Sequence, residues 1–461
     1  MFKFYFALWT SKFFSLIFRI LAKVSSRKGT NLPGQIAIRL CPDFLGKIGK
    51  PEKIIAVTGT NGKTTTANFV SNILEDNGRK VINNRAGSNI ASGIATALLS
   101  GVGLRNKTKG DVAVLEVDER SAPRVFPYVH PDYFVITNLL RDTTNREPHP
   151  HFVFDLFDKS LPDTTVMVLN GDDILATRLK KNNKRLYYGI DALEGDRPES
   201  FNIINDMKVC PECHSQLVYS NVRYNHIGKV WCPKCGLSSP EDDYRVNKID
   251  YKNRTLTLKE KDGEHVYPLI SDSSFHIYDE LAAIAVLRAY GLSDDEVSSS
   301  FKKLKVLESR YREDVIGGVK VVAHMAKGQT APACSVVFDH VRGLEGKKEI
   351  VLAIEDAHKN IHSSENMAFL YDTDFEFLKD DDIERIVVVG VRAKDILCRL
   401  LIAGIPAEKI ATVESEDNIL DVLELRKGLD VYILYEVYQI VIYKKIKAAI
   451  ARKLEGKADE N

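Results

Sequence analysis

Lys53-Ile54-Ile55-Ala56-Val57-Thr58-Gly59-Thr60-Asn61-Gly62-Lys63-Thr64-Thr65-Thr66 is the stretch that decides the fold. Its first six residues form a short apolar run that reads as a buried strand. Gly59 and Gly62 follow, and the pattern beyond them predicts a helix over about 65–76. A strand, a glycine turn and a helix start together make a phosphate-binding loop. The glycines let backbone approach phosphates, whose charge also meets the free amides of the helix start. In such a loop Lys63 would reach the terminal phosphates and Thr64 would ligate Mg²⁺, with Thr60, Asn61 and Thr65 completing the ATP contacts. Val57 stands where the commonest loop pattern has its first glycine, so the loop is a variant.

Working outward, residues 111–119 (D-V-A-V-L-E-V-D-E), 133–138 (Y-F-V-I-T-N) and 165–173 (T-V-M-V-L-N-G-D-D) read as further buried strands ending in polar residues. That is the usual ligand edge of an open α/β sheet. Glu116 is the best second Mg²⁺ contact, because a carboxylate there balances charge near the γ-phosphate. Asp172 is read as either a site carboxylate or a helix cap.

Cys210-Pro-Glu-Cys213 and Cys232-Pro-Lys-Cys235 are two C-x-x-C knuckles. Together they supply four thiolates for one tetrahedral ion, which fits Zn²⁺; four cysteine ligands leave no open position, so the site is expected to be structural. A pair of redox dithiols is the weaker alternative. Gly228 and Gly236 are expected to make the tight turns, and His226 is not required as a ligand. Cys41, Cys334 and Cys398 read as core residues.

The 461 residues are 44% hydrophobic and 28% charged, which suits several packed cores and excludes a disordered chain. A net charge of +1 argues against a nucleic-acid binder. It hides an asymmetry: Lys3, Lys12, Arg19, Lys23, Arg27, Lys28 and Arg39 precede Asp43, with no carboxylate among them. Phe2, Phe6, Trp9, Phe13, Leu16, Ile17 and Ile20 share one helical face, and Lys12, Ser15, Arg19 and Lys23 another. Such a helix can dock on its own domain, lie on a membrane surface, or do both. A signal peptide is excluded by the interrupting charges, and no apolar run approaches the ~18 residues of a spanning helix. The expected location is cytoplasmic, with possible association at the inner face of the cell membrane.

Beyond the cysteines, residues 251–268 suggest strands and a hairpin at Lys261-Asp262-Gly263, and 277–290 a helix. Apolar runs at 319–324, 349–354, 385–390 and 431–435 alternate with helical stretches and predict a second parallel sheet; 438–454 reads as a terminal amphipathic helix. The fold class is therefore α/β. A basic helix and linker occupy 1–50, a central ATP-binding domain 51–305 with a zinc-ribbon insertion at about 205–240, and a Rossmann-like C-terminal domain 306–461.

T-G-T-N-G-K-T-T-T at 58–66 resembles the ATP loop of the Mur ligases. N-R-A-G-S-N at 84–89, L-E-V-D-E at 115–119, T-N-L-L-R-D at 137–142, Y-D-T-D-F-E at 371–376 and G-V-R-A-K-D at 390–395 narrow the resemblance to their MurT type, the ligase subunits of lipid II isoglutaminyl synthase. The resemblance covers nearly the whole chain. It implies an ATP-dependent carbon–nitrogen ligase of peptidoglycan synthesis. That enzyme activates the α-carboxylate of D-glutamate in the lipid II stem as an acyl phosphate, for amidation by glutamine-derived ammonia. It also implies a heterodimer with a class I amidotransferase-like glutaminase of the GatD type. Lys63, Glu116, Asn138 and Asp142 would be catalytic, with Arg141 in the same cleft and Arg310 reaching the nucleotide.

In that family an aspartate of the last domain orients the glutaminase histidine. Aligning back from Asp372 places Asn366 there, and Asp356 is the alternative. Thr143-Thr144-Asn145-Arg146, Phe275-His276-Ile277-Tyr278-Asp279 and Lys327-Gly328-Gln329-Thr330-Ala331 depart from the family pattern. The departures keep open a related ligase with another nucleophile or acceptor, and a zinc-containing ATP-binding subunit without turnover.

Overall fold

The computed structural model describes residues 1–24, 31–85, 88–142, 149–194, 196–304, 311–326, 330–355, 367–436 and 440–455. Two compact units emerge: 1–140, 150–200 and 206–304 form the first, and 141–149, 201–205 and 305–461 the second.

The first unit is built on a nine-stranded sheet. In spatial order its strands are Gly263–Pro268, Thr255–Glu260, Tyr244–Asp250, Arg185–Ile190, Val166–Asn170, Tyr133–Ile136, Lys53–Thr58, Val112–Glu116 and Val81–Asn83. From Tyr244–Asp250 to Val81–Asn83 every neighbouring pair is parallel; the other two strands add an antiparallel edge. Strands in the middle of a parallel sheet are covered on both faces, which is why Ile55, Val57, Val114 and Val135 are buried as fully as Ile54 and Ala113. The strands Arg185–Ile190 and Tyr244–Asp250 lack a continuous apolar run, so pattern reading alone passes over them.

Helix Lys63–Asp76 packs on helix Ser274–Tyr290, and Phe69 meets Phe301 edge-on at 5.5 Å. Helix Ser274–Tyr290 is buried almost all round, including Asp279 and Glu280. Burial drives the Glu280 carboxyl up to about 8, partly opposed by a hydrogen bond from the Ile270 amide. An unfolded chain, with an ordinary carboxyl near 4.5, binds fewer protons over that window than the native state does. Stability should therefore fall as pH rises from about 4.5 to about 8 and change little from this group above it. Glu280→Gln should flatten a slope worth a few kcal/mol, read from urea unfolding at about pH 5 and about pH 9. An unchanged slope would show that the carboxyl is ionised in the native state.

The N-terminal helix Phe2–Val24 docks through Phe4, Ala7, Leu8 and Ser11, which are buried, while its aromatic face stays exposed. Lys12 lies on the docked side. Its ammonium donates to the Leu99 and Val102 carbonyls at 2.9 and 2.7 Å, at the end of helix Ala91–Gly101. Those terminal carbonyls carry partial negative charge and have no intrahelical partners.

In the second unit a six-stranded sheet runs Tyr311–Ile316, Val319–Met325, Leu429–Tyr435, Lys347–Ala353, Ile383–Val389, Ile410–Val413. It is parallel except for its first pair. That pair is closed by Gly317-Gly318, both with positive φ, as a two-residue hairpin demands. The charged strand Tyr311–Ile316 sits at the edge, where an apolar run is not needed. Helices Ala331–Arg342, Ala393–Ile402 and Ile440–Glu455 cover the sheet.

Candidate active site

The loop after Lys53–Thr58 is tied down by the neighbouring strand. Asn61 donates its amide to Asn138 Oδ1 at 3.0 Å, Asn138 Nδ2 returns a bond to the Asn61 carbonyl at 3.2 Å, and Thr60 N donates to the Asn138 carbonyl. Thr60 Oγ1 donates to the Leu140 carbonyl and accepts from its amide. Gly59 has φ +133° and a Cβ there would lie 2.0 Å from Thr137 Oγ1. At Gly62, φ is +86° and a Cβ would lie 1.8 Å from Asp279 Oδ1. Both glycines are thus required by conformation and by space.

Helix Lys63–Asp76 begins at Lys63 itself, two residues before the expected start, so the loop amides lead straight into its first turn. Lys63 Nζ lies 2.7 Å from Glu119 Oε1, and also donates to the Gly59 and Thr60 carbonyls. Glu116, beside Val57 in the parallel register, instead accepts from Asn89 Nδ2 at 3.0 Å. Asn84 holds the Glu116 backbone through both its amide and its carbonyl. Thr64 is exposed, whereas Thr65 and Thr66 are buried. Thr64 at the first turn is exposed and the Glu116 carboxylate partly exposed, and both offer hard oxygen, the ligand type that Mg²⁺ takes.

Two residues of this neighbourhood were not singled out from the sequence. Glu119 closes the L-E-V-D-E stretch, and that cluster of acids was a usable signal. Asp279 comes from a distant helix, whose Asp279 carbonyl accepts from Thr66 Oγ1 at 3.3 Å; it ends the segment 275–279 that departs from the family pattern.

Asn138 belongs to the first unit and Arg141 and Asp142 to the second. There Arg141 faces Asp372 at 3.4 Å, and buried Asp374 accepts from Asn202 Nδ2 at 2.8 Å and from the Ile203 amide. The two aspartates of Y-D-T-D-F-E thus hold Arg141 and the pair Asn202-Ile203 within that unit. Burial raises the Asp374 carboxyl, and these donors work against the rise. Buried Glu355 accepts from the Val391 and Arg392 amides at 3.1 and 2.7 Å, shaping the turn of G-V-R-A-K-D; Gly390 is required because a Cβ would collide with Glu355. Arg310, Asp356 and Asn366 lie outside the described residues, as do 143–146 and 327–329.

The Sγ atoms of Cys210, Cys213, Cys232 and Cys235 lie within 4.8 Å of one another, with Cys210–Cys235 at 3.6 Å and Cys213–Cys232 at 3.4 Å. A tetrahedral ion with Zn–S bonds near 2.3 Å sets its sulfurs about 3.8 Å apart, so the donor set fits. All four are free thiols. Of the other cysteines Cys41 and Cys334 are buried, but Cys398 is exposed, not a core residue. Among the described residues Glu260, Asp262 and His265 also converge, but Arg288 already pairs with both acids.

From the knuckles the hairpin Val218–Tyr224/Ile227–Trp231 reaches into the first unit. Gly236 has φ +78° as a turn residue, whereas Gly228 lies in a strand, where a Cβ would sit 2.0 Å from the Asn221 carbonyl oxygen; its role is close approach, not a turn. Fully buried His226 at the hairpin tip lies 3.3 Å from Asp173 Oδ1, and Asp173 Oδ2 accepts from the Leu139 amide at 2.6 Å. Asp172 is not a helix cap; it is fully buried. It accepts from Ile190 N at 3.0 Å and from the Tyr278 hydroxyl, and pairs with Lys229 at 2.7 Å. The hairpin is therefore anchored by buried polar contacts one residue from Asn138.

Residues 57–208 match the model of the Mur ligase middle domain, and residues 332–438 that of the MurT ligase C-terminal domain. Over 400 residues the chain is 30% identical to the MurT subunit of lipid II isoglutaminyl synthase (glutamine-hydrolyzing) from Staphylococcus aureus strain COL, covering 86% of this chain and 88% of that one. The chain belongs to the MurT family of Mur ligases. The MurT subunit of Streptococcus pneumoniae R6 is 29% identical over 431 residues, 92% of this chain and 94% of that protein. Among solved structures, a pseudomurein peptide ligase type C from Methanothermus fervidus superposes with a TM-score of 0.67 at 19% identity, over 89% of this chain and 81% of that chain. MurF ligase of Thermotoga maritima, solved in complex with ADP, gives 0.58 at 17% identity over 92% and 85%. This MurT-family chain thus has the Mur ligase fold, α/β with parallel sheets.

Proposed function

We propose that the chain is the ligase subunit of a lipid II isoglutaminyl synthase. The observation that carries this reading is the likeness to MurT subunits across both units, together with a loop whose lysine, glycines and asparagine pair have the geometry of a phosphate cradle.

In this reading an oxygen of the D-glutamate α-carboxylate attacks the γ-phosphorus of ATP, and ADP leaves. A carboxylate is a poor electrophile, and the acyl phosphate supplies a leaving group. Ammonia then attacks the acyl carbon, phosphate departs, and the nitrogen loses a proton to give the amide. The loop amides and Lys63 hold the phosphates, and on binding Lys63 exchanges Glu119 for phosphate oxygens. Asn138 fixes the loop conformation, and Asp142 is proposed to act on the acceptor. Thr64 and Glu116 would hold Mg²⁺, which neutralises phosphate charge when bound. The four cysteines would hold a structural Zn²⁺.

Ammonia is proposed to come from a separate glutaminase subunit. Asp356 or Asn366 is the proposed partner of that subunit's histidine. The test is ATP, lipid II and either ammonia or glutamine with the glutaminase. The expected result is ADP release and amidated product with ammonia alone. Nucleotide binding without either product would overturn the proposal.

A further inference from the structure

Phe2, Phe6, Trp9, Phe13, Leu16 and Ile20 recur at alternating spacings of four and three, a single strip along the N-terminal helix. Each is between 51 and 85% exposed. A strip of this size left open to water is unusual on a soluble surface. The helix has already satisfied its docking through the other side, at Phe4, Ala7, Leu8 and Lys12. The Trp9 indole N–H donates to the Leu104 carbonyl at 3.0 Å, and Leu104, 66% exposed, extends the strip onto the loop 101–110. That loop presents Arg105, Lys107 and Lys109 to solvent and contains no carboxylate; Lys3 is exposed beside the strip.

We infer that this strip and the loop 101–110 form a docking surface for an anionic lipid bilayer. The apolar side chains would enter the headgroup boundary, and the exposed cations would meet lipid phosphates. Tryptophan and phenylalanine suit that boundary. A second copy of the chain is the other conceivable cover. Helix pairing, however, favours aliphatic seams flanked by charges of both signs, whereas here four of the six strip residues are aromatic and every charge before Asp43 is positive. The inference deepens the proposed function, on which its purpose rests: an enzyme held at the bilayer meets a lipid-linked acceptor there.

The test is co-sedimentation of the full chain with phosphatidylglycerol or phosphatidylcholine vesicles, without substrate. Binding is expected to the anionic vesicles and to weaken with salt. The combined variant Phe6→Ser, Phe13→Ser, Leu16→Ser should bind at least about 100-fold more weakly with an unchanged melting curve. Arg105→Ser, Lys107→Ser, Lys109→Ser should lose on the order of 100-fold on phosphatidylglycerol alone. Absence of vesicle binding, equal binding by the apolar variant, or a wild-type dimer that this variant converts to monomer would each overturn the inference. ADP release with detergent-solubilised lipid II separates the two ideas. The apolar variant should retain it, while its absence in the wild type would count against the proposed function and leave the vesicle result standing.

Discussion

Lys63→Ala is expected to lower ADP release with carboxylate acceptor by about 10³-fold or more, without changing metal content or the melting transition by more than a few degrees. The ammonium sits at the first residue of the helix and meets both the loop carbonyls and Glu119. Its present partner is a carboxylate only 6% exposed, so the charge is held in a poorly solvated place. Removing it takes the 2.7 Å counter-charge from buried Glu119, whose repulsion of the phosphates then adds to the lost stabilisation. Lys63→Arg should recover little, because a planar guanidinium cannot occupy the point between loop carbonyls and phosphate. Single-turnover measurement of ADP at saturating ATP gives the answer; retained turnover would remove this loop from the reaction.

Cys210→Ser is expected to abolish zinc binding by the purified chain and to cost several kcal/mol of stability, lowering the melting transition of the first unit by about 10 °C. Cys210 is completely buried, so a serine there cannot be compensated by solvent. The effect should also reach the nucleotide loop. With the knuckles open, the tip at His226 loses its seat against Asp173, and Asp173 positions the Leu139 amide next to Asn138. ATP affinity should therefore fall in the cysteine variant. Metal analysis and nucleotide titration on the same preparation test both parts. A normal zinc content in Cys210→Ser would show that the four thiolates are not the ligand set.

How far the pattern alone reaches is plain from individual residues. Strand Lys53–Thr58, the glycine turn and the helix after it are contiguous, and short-range sterics and hydrogen bonding shape them wherever the segment is placed. The same holds for the C-x-x-C knuckles, whose spacing brings two thiols together within one turn. Strands Arg185–Ile190 and Tyr311–Ile316 escaped because part of their length is polar or partly exposed, and only their neighbours make them strands. Helical spacing separates Lys12 from the strip of Phe2, Phe6, Trp9 and Phe13 but does not say which of the two faces a domain will cover.

Local order was thus determined by the sequence on its own: where the phosphate loop lies, which thiols converge, and that the chain is α/β. Only the tertiary structure decided which charges meet. Lys63 finds Glu119 while Glu116 turns to Asn89, and Asp279 arrives under Gly62 on a helix whose contact with Thr66 spans 213 positions. The reason is physical. A motif samples a few dihedral angles over a handful of residues, whereas a contact between distant residues depends on the register of every strand and the seating of every helix between them.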